Sequence, residues 1–304
     1  MLDVLHPCEG CKRGPVAKGG HLASRAPGRS GCLGHPRRRC DLGQGHPGEP
    51  GADRSEVLGA VGRVRVVRLA TGCSFEDAER LCGKKVSDTT VRTWRDEWIE
   101  AGVFDTLVTE ALAGYDKIIG LDLSDVAVDG SLHKSPCGGE GTGKNPTDRA
   151  KLGWKWSILT DTRGIPIGWT IDGANRNDSI LLAPTLDDAR AKGLLQEIET
   201  IWLDRGYDSE ATRERLDKRH LSDAVIARRK KRGESGSKKN LPMGLRWPVE
   251  RTNSWLSNFG QLRRNTDRSP IHRLAQFALA VVFLLTAKLI DHRNRWSPAS
   301  SPIR

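Results

Sequence analysis

The chain has 304 residues, room for one large domain or two small ones, and its lysines and arginines outnumber its acids 49 to 38, a net charge of +11. That surplus points to a polyanionic partner, nucleic acid before membrane, through phosphate contacts and counterion release. No segment reads as a signal peptide, and the most apolar run, 275–287, falls short of the roughly 20 residues that a bilayer span needs, so it is expected to be a buried helix and no membrane partner is expected.

Residues 1–55 are dense in Gly, Pro, Arg, His and Cys and show neither helical nor strand period, a composition that does not pack a core. Cys8 and Cys11, followed by Cys32, His35 and Cys40, resemble a zinc set, although the second pair is spaced too widely for one. The abrupt change of composition is also what a misassigned start or a frame change would produce. The seven cysteines form an odd set in a chain without an export signal, which suggests reduced thiols and a cytoplasmic location.

From Val64 to Leu112 the pattern is helical. SFEDAERLCG reads as one helix with Ser74 as its cap, and TTVRTWRDEWIEAG as a second, capped by Ser87 or Asp88 and ended by Gly102. Val91, Trp94, Trp98 and Ile99 share one face, while Thr89, Thr90, Arg92 and Arg95 are expected to point outward, as in a helix-turn-helix. Residues 56–115 are therefore the expected DNA-binding region.

After Gly114 the period becomes that of strands. KIIGLDLSDVAVDGS is expected to be a strand ending at Asp129, and KLGWKWSILTDTRG and IPIGWTIDG an antiparallel pair, with Trp154, Trp156, Trp169 and Trp202 packed in the core. SILLAPTLDDARAKG is a helix that Asn177 or Asp178 caps, ETIWLDRGYD a strand running into Asp204, SEATRERLDKRH a helix and SDAVIARR a strand. LRWPVERTNSWLSNFG and IHRLAQFALAVVFLLTAKLID close the chain as helices. Three strands followed by alternating helices and strands give an α/β fold, a mixed sheet flanked by helices. Residues 116–292 are its expected extent, with 293–304 as a tail.

Asp129, Asp204 and Glu250 fall at element ends, where open sheets gather their sites. Acids there suit hard divalent cations, and two such ions about 4 Å apart activate an attacking water and stabilise a leaving phosphodiester oxygen. Each acid also has an ordinary reading as a turn, cap or ion-pair residue.

The pieces TGCSFEDAERLCGKKVSDTTVRTWRDEWIEAGVFDTL, DGSLHKSPCGGEGTGKNPTDRAKLGWKWSILTDTRGIPIG, ANRNDSILLAPTLDD, WLDRGYDS and RWPVERTNSWLSNFGQLRRNTDR resemble, in order and spacing, the DDE transposases of bacterial insertion sequences. That resemblance implies a ribonuclease-H-like catalytic core behind a helical DNA-binding region. It implies Asp129, Asp204 and Glu250 as the catalytic and metal-binding acids, with Asp122 and Asp125 competing for the first place and Asp208, expected to cap the next helix, for the second. It further implies Mg²⁺, for which Mn²⁺ substitutes, and double-stranded DNA, both transposon ends and target, as partner. A homodimer or higher oligomer on DNA and a nucleoid-associated bacterial protein follow from it.

The activity implied is binding of terminal inverted repeats with DNA cleavage and strand transfer. The alternatives are a nuclease that never joins ends and an inactive or repurposed transposase that only binds DNA. Related chains often carry a tyrosine and an arginine before the glutamate and a lysine after it; here Arg246 fits, while Met243 and Ser257 depart.

Basic residues near these acids are the expected phosphate contacts: Lys144 and Arg149 in GTGKNPTDRAK, Arg228, Arg229 and Lys230, Arg246 and Arg251, and Arg263 and Arg264, besides Arg92 and Arg95. The glycines of CGGEGTG lack the full P-loop spacing and read as a flexible loop, and His133 as an exposed histidine. Trp247, Arg251 and Trp255 share one helix face, with the tryptophans expected against the sheet. Glu250, Ser254 and Ser257 share another, expected to look toward Asp129 and Asp204.

Overall fold

The computed structural model describes residues 53–221, 223–227 and 243–296, with the side chains of 243–246 excepted. The segment 1–52 with its zinc-like cysteines, the cations Arg228, Arg229 and Lys230, the side chain of Arg246 and the tail from 297 lie outside the described residues.

Four helices come first. α1 (Arg54–Thr71) starts at Asp53, whose side chain accepts the Ser55 N–H, ten residues before the apolar period becomes visible. In those first ten residues only Ala60 and Val61 are buried, too few and too small to mark a helical period, and Gly59 and Gly62 interrupt it; Arg65 and Arg68 take buried positions further on. α2 (Phe75–Leu81) and α3 (Asp88–Glu100) begin where expected, with Ser74 accepting the Asp77 N–H and Ser87, rather than Asp88, accepting the Thr90 N–H. Phe75, Ala78, Val86 and Val91 join α1 in a small core of their own.

α4 (Val103–Ile118) buries Phe104, Val108, Leu112 and Tyr115 along one stripe and runs into what the β-rich composition suggested was strand. β1 (Asp125–Lys134) therefore begins after a turn in which Asp122 accepts from the Ser124 hydroxyl and amide. It also continues five residues past Asp129, because β3 (Leu152–Thr160) stays paired with it from Ala127↔Thr160 to Lys134↔Gly153.

The far edge of β3 is shared by the short β2 (Gly143–Lys144) and by β4 (Pro166–Gly173), both antiparallel to it. On the other side β5 (Thr200–Leu203) pairs parallel with β1, and β6 (Ala224–Ile226) parallel with β5. The sheet thus reads β4–β3–β1–β5–β6 with β2 beside β4, the mixed order of a ribonuclease-H-like fold.

Helices cover both faces. α5 (Asp178–Ala191) and α6 (Glu210–Asp217) close one, over Val126, Val128, Leu159, Ile167 and Tyr207. Asn177 is the α5 cap, as anticipated, accepting the Ser179 N–H at 3.0 Å. α7 (Met243–Ser257), α8 (Gly260–Arg263) and α9 (Pro270–Trp296) lie over the other, where Trp154, Trp156, Ile158 and Trp169 pack with Val249, Leu256, Phe277 and Val281. α9 has 27 residues, so by length and composition it could cross a bilayer, contrary to the shorter run read from sequence. Here it is a core helix, with Phe277, Ala280, Val281 and Leu285 buried against the Trp-rich sheet face.

One polar knot ties the first helices to the core. Asp267, before α9, takes Arg68 Nη2 at 3.1 Å and Nη1 at 3.3 Å and sits 3.9 Å from Arg95 Nη1, while Gln261 and Gln276 donate to its Oδ2. Arg95 was expected to point outward to DNA; instead it is 6% exposed, shared between Asp96 and this knot.

Candidate active site

The β1–β5 register aligns the first two acids. Asp125, Val126 and Ala127 pair with Thr200, Ile201 and Trp202, so two further steps set Asp204 level with Asp129. Neighbouring strands lie about 4.8 Å apart, and residues level with each other in a parallel pair face the same side. Asp204 keeps extended backbone (φ −76°, ψ 178°) just past Leu203, while its Oδ1 accepts the Gly206 N–H at 2.7 Å. Asp129 is therefore mid-strand in β1, not at its end, yet it stands where β5 stops and β1 loses that neighbour.

α7 carries Glu250, the third acid expected from the sequence. Its inner face is Val249, Thr252, Asn253 and Leu256, all buried. Asn253 Nδ2 donates to Asp129 Oδ2 at 3.0 Å, and Glu250, an exposed residue, lies three positions earlier on the same stripe. The α7 side chain that meets Asp129 is Asn253, while Glu250 and Ser254 of the expected face are exposed. The tryptophans do not fix the helix to the sheet: Trp247 is 60% exposed, and Trp255 is stacked between Arg251 (4.7 Å) and Lys288 (3.7 Å).

The competing acids have structural partners. Asp125 accepts Trp202 Nε1–H at 2.7 Å, and Asp122 holds its turn. Asp208 pairs with Arg213 at 2.7 Å, leaving Ser209, not Asp208, to cap α6.

On the opposite face of β1 lies a fourth carboxylate. Asp178, at the first turn of α5, accepts from Lys155 Nζ at 2.7 Å, and Lys155 is only 4% exposed. Burial, with the charges of Asp178, Asp129 and Asp204 around it, pushes the Tyr207 hydroxyl well above its usual pKa. Gly130 fits between: a Cβ there would sit 2.5 Å from Asp178 Oδ1. Because Lys155 holds that carboxylate, Gly130→Ala is expected to lower stability by about 1–3 kcal/mol, the usual range for overpacking, and denaturant unfolding of the variant measures it.

His133 is buried, not exposed. Its ring stacks on Trp156 at 3.6 Å, and burial pushes its pKa down from 6.5 to about 3. A depressed histidine binds its proton more readily unfolded, so its contribution is complete above pH 6.5 and is lost as pH falls toward 3. His133→Phe should therefore flatten the acid loss of stability below pH 6.5 by up to about 1.4 kcal/mol per pH unit relative to wild type, read from urea midpoints.

The donors are hard carboxylate oxygens on adjacent strands, which fit Mg²⁺-like ions. Among the described residues no three His, Cys, Asp or Glu side chains group around one point, so the fit is of one or two carboxylates per ion, which is the usual number for Mg²⁺.

Residues 120–285 match the family profile described as a transposase DDE domain. The chain belongs to this family. Within the transposase DDE family, 137 residues are 43% identical to the "Putative transposase for insertion sequence element IS402" of Burkholderia cepacia, covering 43% of this chain and 62% of that relative. The chain thus matches less than two thirds of that relative's length. The crystal structure of the Mos1 mariner paired end complex with Mn is similar at 10% identity with a TM-score of 0.29, covering 82% of this chain and 80% of that one, too distant to align site residues.

Of the cations expected on DNA, this transposase-family chain exposes Lys144, Arg149, Arg263, Arg264 and Arg92. Arg92 also pairs with Asp88 and lies over Phe75 at 4.3 Å. Arg251 is half-buried, donates to the Arg163 carbonyl and stacks on Trp255. The glycine loop is packed rather than flexible: Gly139 (φ +109°) lies against the Arg268 backbone and Arg273 donates to the Glu140 carbonyl.

Sequence reading passed over Lys155, Tyr207 and Asn253. A lysine inside an apolar strand is a usable signal for the first; an asparagine one turn after the glutamate carries no such mark.

Proposed function

We propose that this chain is a DNA transposase that binds the terminal inverted repeats of an insertion sequence and catalyses metal-dependent strand cleavage and strand transfer. The reading rests chiefly on the β1–β5 register, which levels Asp204 with Asp129 beneath the helix that carries Glu250. In it, Asp129, Asp204 and Glu250 hold two divalent ions, Mg²⁺ with Mn²⁺ as substitute. Such ions supply activation of the attacking water and charge stabilisation on the phosphodiester.

The chain's own part is to position. In this reading β1 and the end of β5 present two carboxylates and α7 contributes the third, and no serine or tyrosine nucleophile is used. Water attacks the phosphorus at the element's end and one P–O bond breaks, leaving a 3′-hydroxyl. That hydroxyl attacks a target phosphodiester in line, exchanging one P–O bond for another. Residues 56–115 are assigned to end recognition and 116–292 to catalysis. Lys144, Arg149, Arg263, Arg264 and Arg92 are the assigned phosphate contacts, and the protein works as a dimer or larger assembly on DNA in the cytoplasm.

The test is incubation with DNA carrying the inverted repeats that flank the gene, with and without Mg²⁺ or Mn²⁺. Nicks at the repeat ends bearing 3′-hydroxyls, only with the ion, are expected; repeat binding with no cleavage would leave a DNA-binding protein instead.

A further inference from the structure

We infer that Asn253 is a positioning residue that sets the orientation of the Asp129 carboxylate and, with it, the placement of the Glu250 helix. The inference rests on the reading of Asp129 as the first acid.

Asn253 lies between two groups of opposite hydrogen-bonding character. The Trp156 indole can only donate, and it donates from Nε1 to Asn253 Oδ1 at 2.7 Å. The Asp129 carboxylate can only accept when ionised, and it accepts from Asn253 Nδ2 at 3.0 Å. Either neighbour alone dictates which way the amide faces, and both dictate the same way, so the flip ambiguity usual for an asparagine is absent. A leucine of similar size makes neither bond, and an aspartate would set a carboxylate against a carboxylate.

The rigidity comes from the core. Trp156 is fully buried, stacked on His133, edge-on to Trp154 (5.4 Å) and tilted against Phe277 (5.3 Å). Asn253 is itself 8% exposed. The amide passes that fixed position to Oδ2 of Asp129, a mid-strand side chain that has lost the β5 neighbour. Because Asn253 follows Glu250 by three positions, the same bond fixes how near α7 carries Glu250 to β1. Thr252, next to it, anchors α7 differently, by donating to the Gly164 carbonyl in the β3–β4 turn.

The experiment compares wild type, Asn253→Ala, Asn253→Asp, Thr252→Val and Asp129→Asn in the full chain. It measures melting temperature, Mn²⁺ affinity by water-proton relaxation, and kcat and DNA KM for cleavage. Outer-shell partners of metal ligands typically change affinity or activity 10–100-fold, so Asn253→Ala is expected to weaken Mn²⁺ binding at least about tenfold, Asn253→Asp, which adds a hard carboxylate beside Asp129, to shift it away from the wild-type value, and both to lower kcat about 10–100-fold at unchanged DNA KM. Thr252→Val should lower the melting temperature and leave Mn²⁺ affinity as it was. Asn253→Asp keeps the acceptor for Trp156, so it remains informative if the alanine variant does not fold. Wild-type Mn²⁺ affinity and kcat in folded Asn253→Asp, with Asp129→Asn inactive, overturns the inference alone. Full activity in Asp129→Asn overturns the first-acid reading, and the inference with it.

Discussion

Asp204→Asn should remove DNA cleavage while leaving the fold intact. In the native chain Asp204 has a local task, accepting the Gly206 N–H at the turn after β5. Asparagine performs that task as well as aspartate, so the turn survives and the melting temperature should change by little. What the substitution takes away is a negative oxygen donor level with Asp129. Lewis-acid stabilisation by a bound ion is worth several kcal/mol, and about 1.4 kcal/mol is a factor of ten, so the cleavage rate should fall on the order of 10³-fold. Single-turnover nicking of repeat-bearing DNA measures it. A variant that melts like wild type and cuts like wild type would remove Asp204 from the site.

Asp267→Ala should be the most damaging single change to stability. Its carboxylate, 6% exposed, balances Arg68 through two bonds and faces Arg95 at 3.9 Å, with Arg65, itself pushed down to about 10 chiefly by burial, close enough to feel the same charge. Alanine would leave the buried Arg68 guanidinium without its counter-charge, which costs about 3–5 kcal/mol when one partner of a buried pair is removed. Against a total of about 5–15 kcal/mol for a typical domain, much of the population would unfold near body temperature. Replacing both partners, Arg68→Met with Asp267→Leu, should recover most of the loss, because well-packed apolar pairs often match a buried ion pair. Urea unfolding of the two variants decides the point. If the double variant is as unstable as the single one, the loss comes from shape and not from uncompensated charge.

This knot also shows what the sequence could and could not reveal. The succession of strands and helices was readable because the strands are apolar runs punctuated by Gly turns and because the helices between them keep a 3.6-residue period; the order of the strands within the sheet was not. α1 was half hidden, because its first half buries only Ala60 and Val61. Arg95 looked like an outward recognition residue because its partner Asp267 is 172 positions away, and nothing local announces it.

Asp129 and Asp204 were singled out from the sequence, but that they stand level is a matter of β1–β5 register, which no local pattern shows. Their supports were not singled out. Asn253 sits three positions after Glu250 on α7, yet its partners Trp156 and Asp129 come from two strands, β3 and β1, far away in sequence. Trp247, by contrast, looked like a core anchor by residue type and lies 60% exposed, because Val249, Thr252, Asn253 and Leu256 take the inner face of α7.

The most direct measurement is a joining assay. Purified protein is mixed with pre-cleaved repeat ends bearing labelled 3′-hydroxyls, a supercoiled target plasmid and Mg²⁺ or Mn²⁺, and the label is followed on denaturing gels. Covalent transfer of the labelled 3′ end into the plasmid, dependent on the ion and lost in Asp129→Asn, Asp204→Asn and Glu250→Gln, is the predicted result. Ends that the protein binds or cuts but never joins would contradict it.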